Sequence, residues 1–430
     1  RILLKLENGW TEIFSSRNIR RFEQTVLPEY LSRCRWFAGG ARRVTGMTLV
    51  DSVSCGTGLD CRLLLVKVTY TAGDPETYVV PVMFMYTRER SDETRLLDGS
   101  IVCDLTVGDR DGILYDAAAD KRFHLFLLKL LAGGRKAGER GLRMSGDPEK
   151  CVRRVLAGHD IDAISTHAVD GSHNNTIIFY DELFVLKLFR KIEAGMNPDI
   201  DVTRYLSCNS TEPVNVPLFA GTIQLQRDGA VSGYLALLHR FVSSQQNAWD
   251  YVTAQVTDYF DLAQAELSRK RQQLRDAGQT GDTMLDADEM RPLIGELFMR
   301  MVELMGTRTG QMHRALADGR DDPEFAPEPF SMLYQRSLYQ SMGAQLRYVM
   351  SRLRKRLPSL PDQVRAEAGE ILDREHEIDA SFKAIVRSKL SACKIRVHGD
   401  YRLEQLLFTG KDFVILDFEG EAPRPLSERR

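Results

Sequence analysis

His398-Gly399-Asp400-Tyr401-Arg402-Leu403-Glu404-Gln405, followed by Asp417-Phe418-Glu419, is the stretch on which the reading of this chain turns. In phosphoryl transfer one carboxylate takes the proton of the acceptor hydroxyl, while other oxygen ligands hold magnesium against the phosphates. Catalytic loops of kinases place the base five positions before an amide ligand, and an Asp-Phe pair follows beyond a hairpin. Asp400 and Gln405 have that spacing, with Gln where Asn is usual. Between them and Asp417, apolar residues 406–408 and 413–416 flank Thr409-Gly410-Lys411-Asp412, which predicts a tight β-hairpin. Such a hairpin sets Gln405, before its first strand, beside Asp417, after its second, so both can offer hard oxygen atoms to one cation. A His-Gly-Asp triplet alone also fits a surface loop; the spacing, the glycine turn and the Asp-Phe pair together favour the catalytic reading.

Working upstream, the next chemical signal is Gly171-Ser172-His173-Asn174-Asn175-Thr176, then Val185-Leu186-Lys187-Leu188-Phe189. Two strands joined at Asp181-Glu182 follow a small polar loop whose backbone N–H groups could face phosphate oxygens, so Ser172, Asn174, Asn175 and Thr176 are read as nucleotide contacts. Alternation puts Val185, Lys187 and Phe189 on one face of the strand. A Lys among apolar neighbours needs an anionic partner, unless it snorkels at a sheet edge. Asp199 and Asp201, at the start of a predicted helix over 200–207, are the candidates. Capping and pairing compete for Asp199, and the pairing role is assigned to Asp201. Residues 234–242 read as the last strand before a helical region, and the main chain around Arg240 and Val242 is the expected adenine contact. His167, His173, His239 and His313 do not have the spacing of a metal cluster.

Elsewhere the pattern turns to β over 47–53, 62–70 and 77–85, with a helix over 121–131 and a polar, Gly- and Arg-rich stretch over 132–150 read as a linker. Strands are expected over 161–169, 176–180, 184–189, 222–226 and 234–241, and helices from 248 to about 390. This gives three units: a cap at 1–135, a β-rich nucleotide-binding lobe at 136–243, and a helical lobe with the catalytic loop at 244–430. The fold class is α+β, two-lobed and kinase-like. Of the 430 residues, 43% are hydrophobic and 27% charged, which excludes a disordered chain. Lys and Arg number 58 against 60 Asp and Glu, a balance that argues against a nucleic-acid partner. No apolar run reaches the length of a membrane span. Seven scattered cysteines without a CxxC pair read as reduced thiols of a cytoplasmic protein. A chain starting at Arg1 and stopping just after a motif-rich stretch suggests a segment of a longer polypeptide.

Taken together, the motifs resemble those of bacterial maltokinase, in particular the maltokinase half of trehalose synthase–maltokinase fusions. They are Arg35-Trp36-Phe37-Ala38-Gly39, Gly112-Ile113-Leu114-Tyr115-Asp116-Ala117, the stretch from Val185 to Arg190, and Asn197-Pro198-Asp199. Further on come Phe325-Ala326-Pro327-Glu328-Pro329-Phe330, Tyr334-Gln335-Arg336-Ser337-Leu338-Tyr339-Gln340-Ser341, the catalytic stretch, and Asp417-Phe418-Glu419-Gly420-Glu421 running to Arg430. The resemblance implies an aminoglycoside phosphotransferase-like fold with an extra N-terminal α+β cap. It implies transfer of the γ-phosphoryl group of ATP to the anomeric hydroxyl of maltose, giving maltose 1-phosphate for α-glucan and glycogen synthesis. In that scheme Asp400 is the base, Gln405 and Asp417 hold Mg2+, and Lys187 binds the ATP phosphates. It also implies a fused trehalose synthase domain before Arg1 and a helical stretch after Arg430. His398, Glu419, Glu421 and Arg424 are candidate acceptor contacts; for the last three a structural salt bridge is the competing role. The chain departs from the family at Arg402 and Glu404, where His and Gly are usual, and at Asp201, where Glu is usual. These departures leave two other readings open: a catalytically weak kinase-like binding module attached to the synthase, and a kinase for another small hydroxylated acceptor.

Overall fold

Near-continuous apolar runs, not simple alternation, mark strands buried on both faces, and the N-terminal sheet is built from them. The computed structural model describes residues 1–37, 39, 42–56, 58–87, 99–139, 141–171, 175–210, 213–278, 284–319 and 322–421. The sheet contains β1 (Leu3–Leu6), β2 (Val44–Ser54), β3 (Cys61–Tyr70), β4 (Glu76–Tyr86), β5 (Ile101–Val107) and β6 (Arg110–Asp116), in the order β1-β5-β6-β4-β3-β2. On β3, Leu63 and Leu65 enter one core, while Leu64, Val66 and Val68 enter a second core with Phe22, Val26, Leu27 and Leu31. The helix Lys121–Ala132 follows, capped by the Asp120 carboxylate on the Arg122 N–H at 2.7 Å.

The expected linker at 132–150 is instead two strands, β7 (Lys136–Gly138) and β8 (Leu142–Pro148). Leu142 and Met144 alternate into the core, and Gly146 lies so close under the preceding helix that a Cβ there would meet the Leu130 carbonyl oxygen at 2.3 Å. The glycines that read as loop signals serve this close approach. The second sheet continues with β9 (Thr166–Asp170), β10 (Asn175–Tyr180) and β11 (Phe184–Phe189). Only the end of the strand expected over 161–169 forms, because Ile161–Ala163 is a 3-10 turn capped by Asp160. After β11 the chain crosses to the first sheet, where β12 (Lys191–Ile192) pairs with β4. It then returns as β13 (Phe219–Arg227) and β14 (Ala230–Arg240), and every neighbouring pair in the order β7-β8-β13-β14-β11-β10-β9 is antiparallel. One apolar cluster joins both sheets to the helix Lys121–Ala132.

The described residues form two compact units, one of residues 1–312 with 398–430 and one of residues 313–397. In the first, Asn247 caps the long helix Ala248–Asp276 and Tyr251 stacks on Phe408 of the hairpin Leu406–Phe408/Phe413–Ile415 at 4.2 Å. The turn of that hairpin is clamped by two Arg308–Asp412 hydrogen bonds, 2.8 and 2.6 Å. The second unit holds the helices Met332–Arg356, Asp362–Asp373 and Glu375–Lys383. There Gln335, wholly buried, donates to the carbonyls of Ile385 and Ser388. Among the described residues no helix is long and apolar enough to cross a membrane.

Candidate active site

The site is assembled around one lysine. Lys187 sits on β11, a strand buried along its whole length, and is itself only 6% exposed. Its Nζ donates to Asp199 Oδ2 at 2.7 Å and to Asp417 Oδ1 at 2.5 Å, and lies 3.5 Å from Glu419 Oε1. Burial alone favours the neutral amine; the carboxylates of Asp199, Asp417 and Glu419 outweigh it and hold the ammonium well above its usual range.

Asp199, not Asp201, is the paired acid. The cap of the helix Pro198–Arg204 is Asn197, whose side chain accepts from the Asp199 N–H at 2.9 Å. With Asn197 as cap, Asp199 can turn inward. Its Oδ1 accepts from the Phe418 N–H at 2.9 Å, so one carboxylate ties the strand lysine to the Asp-Phe-Glu segment. Asp201 follows two positions later, about 200° further round a helix at 3.6 residues per turn, so the two acids leave the helix on different sides.

The His398–Gln405 stretch and the hairpin are held together by bonds to main-chain carbonyls. His398, 2% exposed, shares a 2.7 Å hydrogen bond between Nε2 and the Leu416 carbonyl and packs its ring against Phe418 at 4.7 Å. Burial lowers the proton affinity of its imidazole. The Leu416 N–H donates to the carbonyl of Gln405 at 2.9 Å, so the hairpin sets Gln405 against the residue before Asp417. Gly399, at φ +83°, faces Gly420 so closely that a Cβ on it would lie 2.8 Å from the Gly420 Cα. Asp417 has φ +65°, a left-handed conformation uncommon for a residue with a side chain. Asp400 is partly exposed and lies 3.3 Å from Arg402 Nε through its Oδ2. The neighbouring Tyr401 hydroxyl is 2.7 Å from Thr309 Oγ1.

Other expected residues fall differently. Glu419, read as an acceptor contact, is buried beside Lys187 and accepts from Asn175 Nδ2 at 3.0 Å. Burial pushes its carboxyl up, against Lys187 and with help from Asp417 and Asp199. Asn175 and Thr176 belong to β10, and the Thr176 hydroxyl accepts from Arg190 Nε at 2.8 Å. The Arg240 N–H is taken by the Leu218 carbonyl at 2.9 Å, and its carbonyl lies 3.0 Å from His239 Nδ1. Val242 lies just beyond β14. Glu421 is exposed. Ser172, His173, Asn174 and Arg424 lie outside the described residues. Sequence reasoning missed Asn197 as cap; the signal was the Asn-Pro pair, a cap followed by proline at the first helical position.

Among the described residues no group of three or more His, Cys, Asp or Glu has the arrangement of a protein-built metal centre. The donor set nonetheless suits magnesium held jointly with phosphates, since Asp417 and Gln405 bring a carboxylate and an amide oxygen, both hard.

Two comparisons bear on this arrangement. The family model of the maltokinase N-terminal cap domain matches residues 30–120. Among solved structures, a crystal form of glucosamine kinase aligns over 98% of this chain and 74% of its own, at 16% identity and a TM-score of 0.51. Glucosamine kinase in complex with glucosamine, ADP and inorganic phosphate aligns over 89% and 69%, at 17% identity and a TM-score of 0.47. The likeness to maltokinase read from the motifs is thus matched over residues 30–120 by the cap-domain model, in a chain whose α+β fold is kinase-like.

Proposed function

We propose that this chain is an ATP-dependent sugar kinase that phosphorylates maltose at its anomeric hydroxyl, giving maltose 1-phosphate. The observation that carries the proposal is the ammonium of Lys187 gripped by Asp199 and Asp417 beside the His398–Gln405 stretch, in a chain with a maltokinase cap. Lys187 holds the ATP phosphates, and Asp199 fixes its reach. Asp400 accepts the proton of the acceptor hydroxyl as the new O–P bond forms and the bond from the γ-phosphorus to the β,γ-bridging oxygen breaks, ADP leaving with that oxygen. Asp417 and Gln405 would hold magnesium, which when bound would neutralise charge on the phosphate oxygens. His398 orients this segment through the Leu416 carbonyl rather than touching the acceptor. The product would feed α-glucan synthesis from trehalose when the chain is fused to a trehalose synthase, and seven free cysteines agree with a cytoplasmic setting.

The test is maltose-dependent ADP release, with maltose 1-phosphate identified by phosphorus NMR. Asp400→Asn is expected to keep ATP binding and lose about 10²–10⁴ of the rate. Equal rates in variant and parent refute Asp400 as base, and turnover only with another sugar in an acceptor panel refutes maltose. One observation favours a second reading, a weakly catalytic binding module: the guanidinium of Arg402 occupies an oxygen of the base. In that reading nucleotide binding is independent of magnesium, which titration with and without the cation distinguishes.

A further inference from the structure

We infer that Arg190 is a positioning residue through which the cap domain holds the phosphate-facing end of β10, and so sets the affinity for nucleotide phosphates. Its functional half rests on the kinase reading above; its structural half does not. Arg190 stands at the joint where β11 leaves the second sheet and β12 enters the first, and its carbonyl accepts from the Val79 N–H of β4 at 2.7 Å. Its side chain is 2% exposed and reaches both ways. Towards the cap, Nη1 is in ion-pair contact with Asp116 Oδ2 at 2.9 Å, and the guanidinium lies over the Trp36 ring at 4.6 Å. Asp116 in turn accepts from the Tyr30 hydroxyl at 2.6 Å and the Ala118 N–H at 2.9 Å. Towards the site, Nε donates to Thr176 Oγ1 at 2.8 Å. The residue before Thr176 is Asn175, which donates to Glu419, itself 3.5 Å from the Lys187 ammonium.

Tyr30, Trp36 and Asp116 all belong to residues 30–120. A run of polar contacts therefore leads from the cap, through one arginine, to the side chains that crowd the site lysine. Stability alone does not call for this arrangement, because a buried ion pair is commonly no better than apolar packing of the same volume. What a guanidinium adds is a rigid plane that meets three groups at once: Nε is hydrogen-bonded to the Thr176 hydroxyl, the face lies over the Trp36 indole, and Nη1 stands at ion-pair distance from Asp116 without hydrogen-bond geometry. The position it fixes is that of residues 175–176, directly after the polar stretch 172–174 that the sequence reading gives to nucleotide phosphates.

The experiment uses the full chain with Asp116→Asn, on the cap side of Arg190, and Arg190→Lys, which keeps the charge and loses the planar guanidinium. Amide hydrogen exchange is followed at 175–177, with β3 amides as internal reference, alongside titration with magnesium-ATP and with adenosine. Faster exchange at 175–177 relative to β3, with the ATP-to-adenosine affinity ratio lowered about tenfold, is the expected result. A merely structural role lowers both affinities together or neither. Unchanged exchange at 175–177 in folded Asp116→Asn overturns the inference, as does an unchanged affinity ratio. If Arg190→Lys does not fold, Asp116→Asn decides. If the parent binds no magnesium-ATP, the kinase reading fails, and the exchange result alone still decides whether the cap holds this strand end.

Discussion

Replacing Lys187 by Met removes a cation that lies within 3.5 Å of three carboxylates whose side chains are 3, 13 and 12% exposed, those of Asp199, Asp417 and Glu419. Met fills similar volume, so the cost is electrostatic. Taking one partner from a buried pair costs about 3–5 kcal/mol, because the remaining charge is left uncompensated. The cluster can escape part of that by binding a proton. Glu419, whose carboxyl is already raised by burial and opposed by Lys187, rises further once the ammonium is gone. For an acid raised on folding, the ionised form costs stability; the cost is present above the folded value and absent below the unfolded one. The deficit of Lys187→Met is therefore expected to be near its full size at pH 8 and smaller by at least about 1 kcal/mol at pH 5. Urea unfolding of parent and variant at both pH values measures it. Adding Asp199→Asn to the variant should recover part of the loss at pH 8. A deficit below about 1 kcal/mol, or one equal at both pH values, refutes the reasoning that Lys187 is held by a charged cluster.

Asp199→Asn should raise the Kd for magnesium-ATP about tenfold or more while Asp201→Asn leaves it within about twofold, read by calorimetric titration. Glu76, bound by the Tyr70 and Tyr78 hydroxyls and by Lys191, is lowered to about 2, burial opposing and the hydrogen bonds prevailing. Its contribution is present above the unfolded value and lost as pH falls towards about 2. Glu76→Gln should thus cost about 1–2 kcal/mol at pH 7, after discounting for solvent screening, and almost nothing at pH 2, by urea unfolding. In the native protein a disulfide reagent should titrate Cys208 and Cys393 rapidly, since these two thiols are exposed, whereas Cys103 and Cys34, pushed up to about 12 by burial, react only after unfolding. Arg402→Gln should change unfolding free energy by less than about 1 kcal/mol, because its pair with Asp400 is solvent-exposed.

The hairpin after Gln405 was legible because its two strands, four-residue turn and flanking polar residues all follow local rules, and Leu406–Phe408 and Phe413–Ile415 fall where those rules put them. Lys187 was legible for the opposite reason: a lone charge in an apolar strand is an anomaly that demands a partner. Which acid answers it was not, because that choice depends on Asn197 taking the cap, a contact between side chain and backbone that spacing leaves open. Residues 132–150 misled because Gly146 is there for a helix packed above it, and a close approach between distant elements leaves the same glycine signature as a loop. Glu419 misled similarly. Its position after Asp417 suggested the acceptor side, while the turn at Asp417, made at φ +65°, aims it back at Asn175.

The contact between Gly399 and Gly420 has a further consequence. Because neither carries a side chain, backbone meets backbone there, one residue ahead of the proposed base and three beyond the proposed metal ligand. Rotamer changes cannot absorb an added methyl group at such a seam. Ala at 399 would wedge the two segments apart by several tenths of an ångström and leave every reactive group chemically intact. Such a protein would be expected to pass every test of composition and of nucleotide binding, yet turn over slowly, its chemistry spoiled by distance alone.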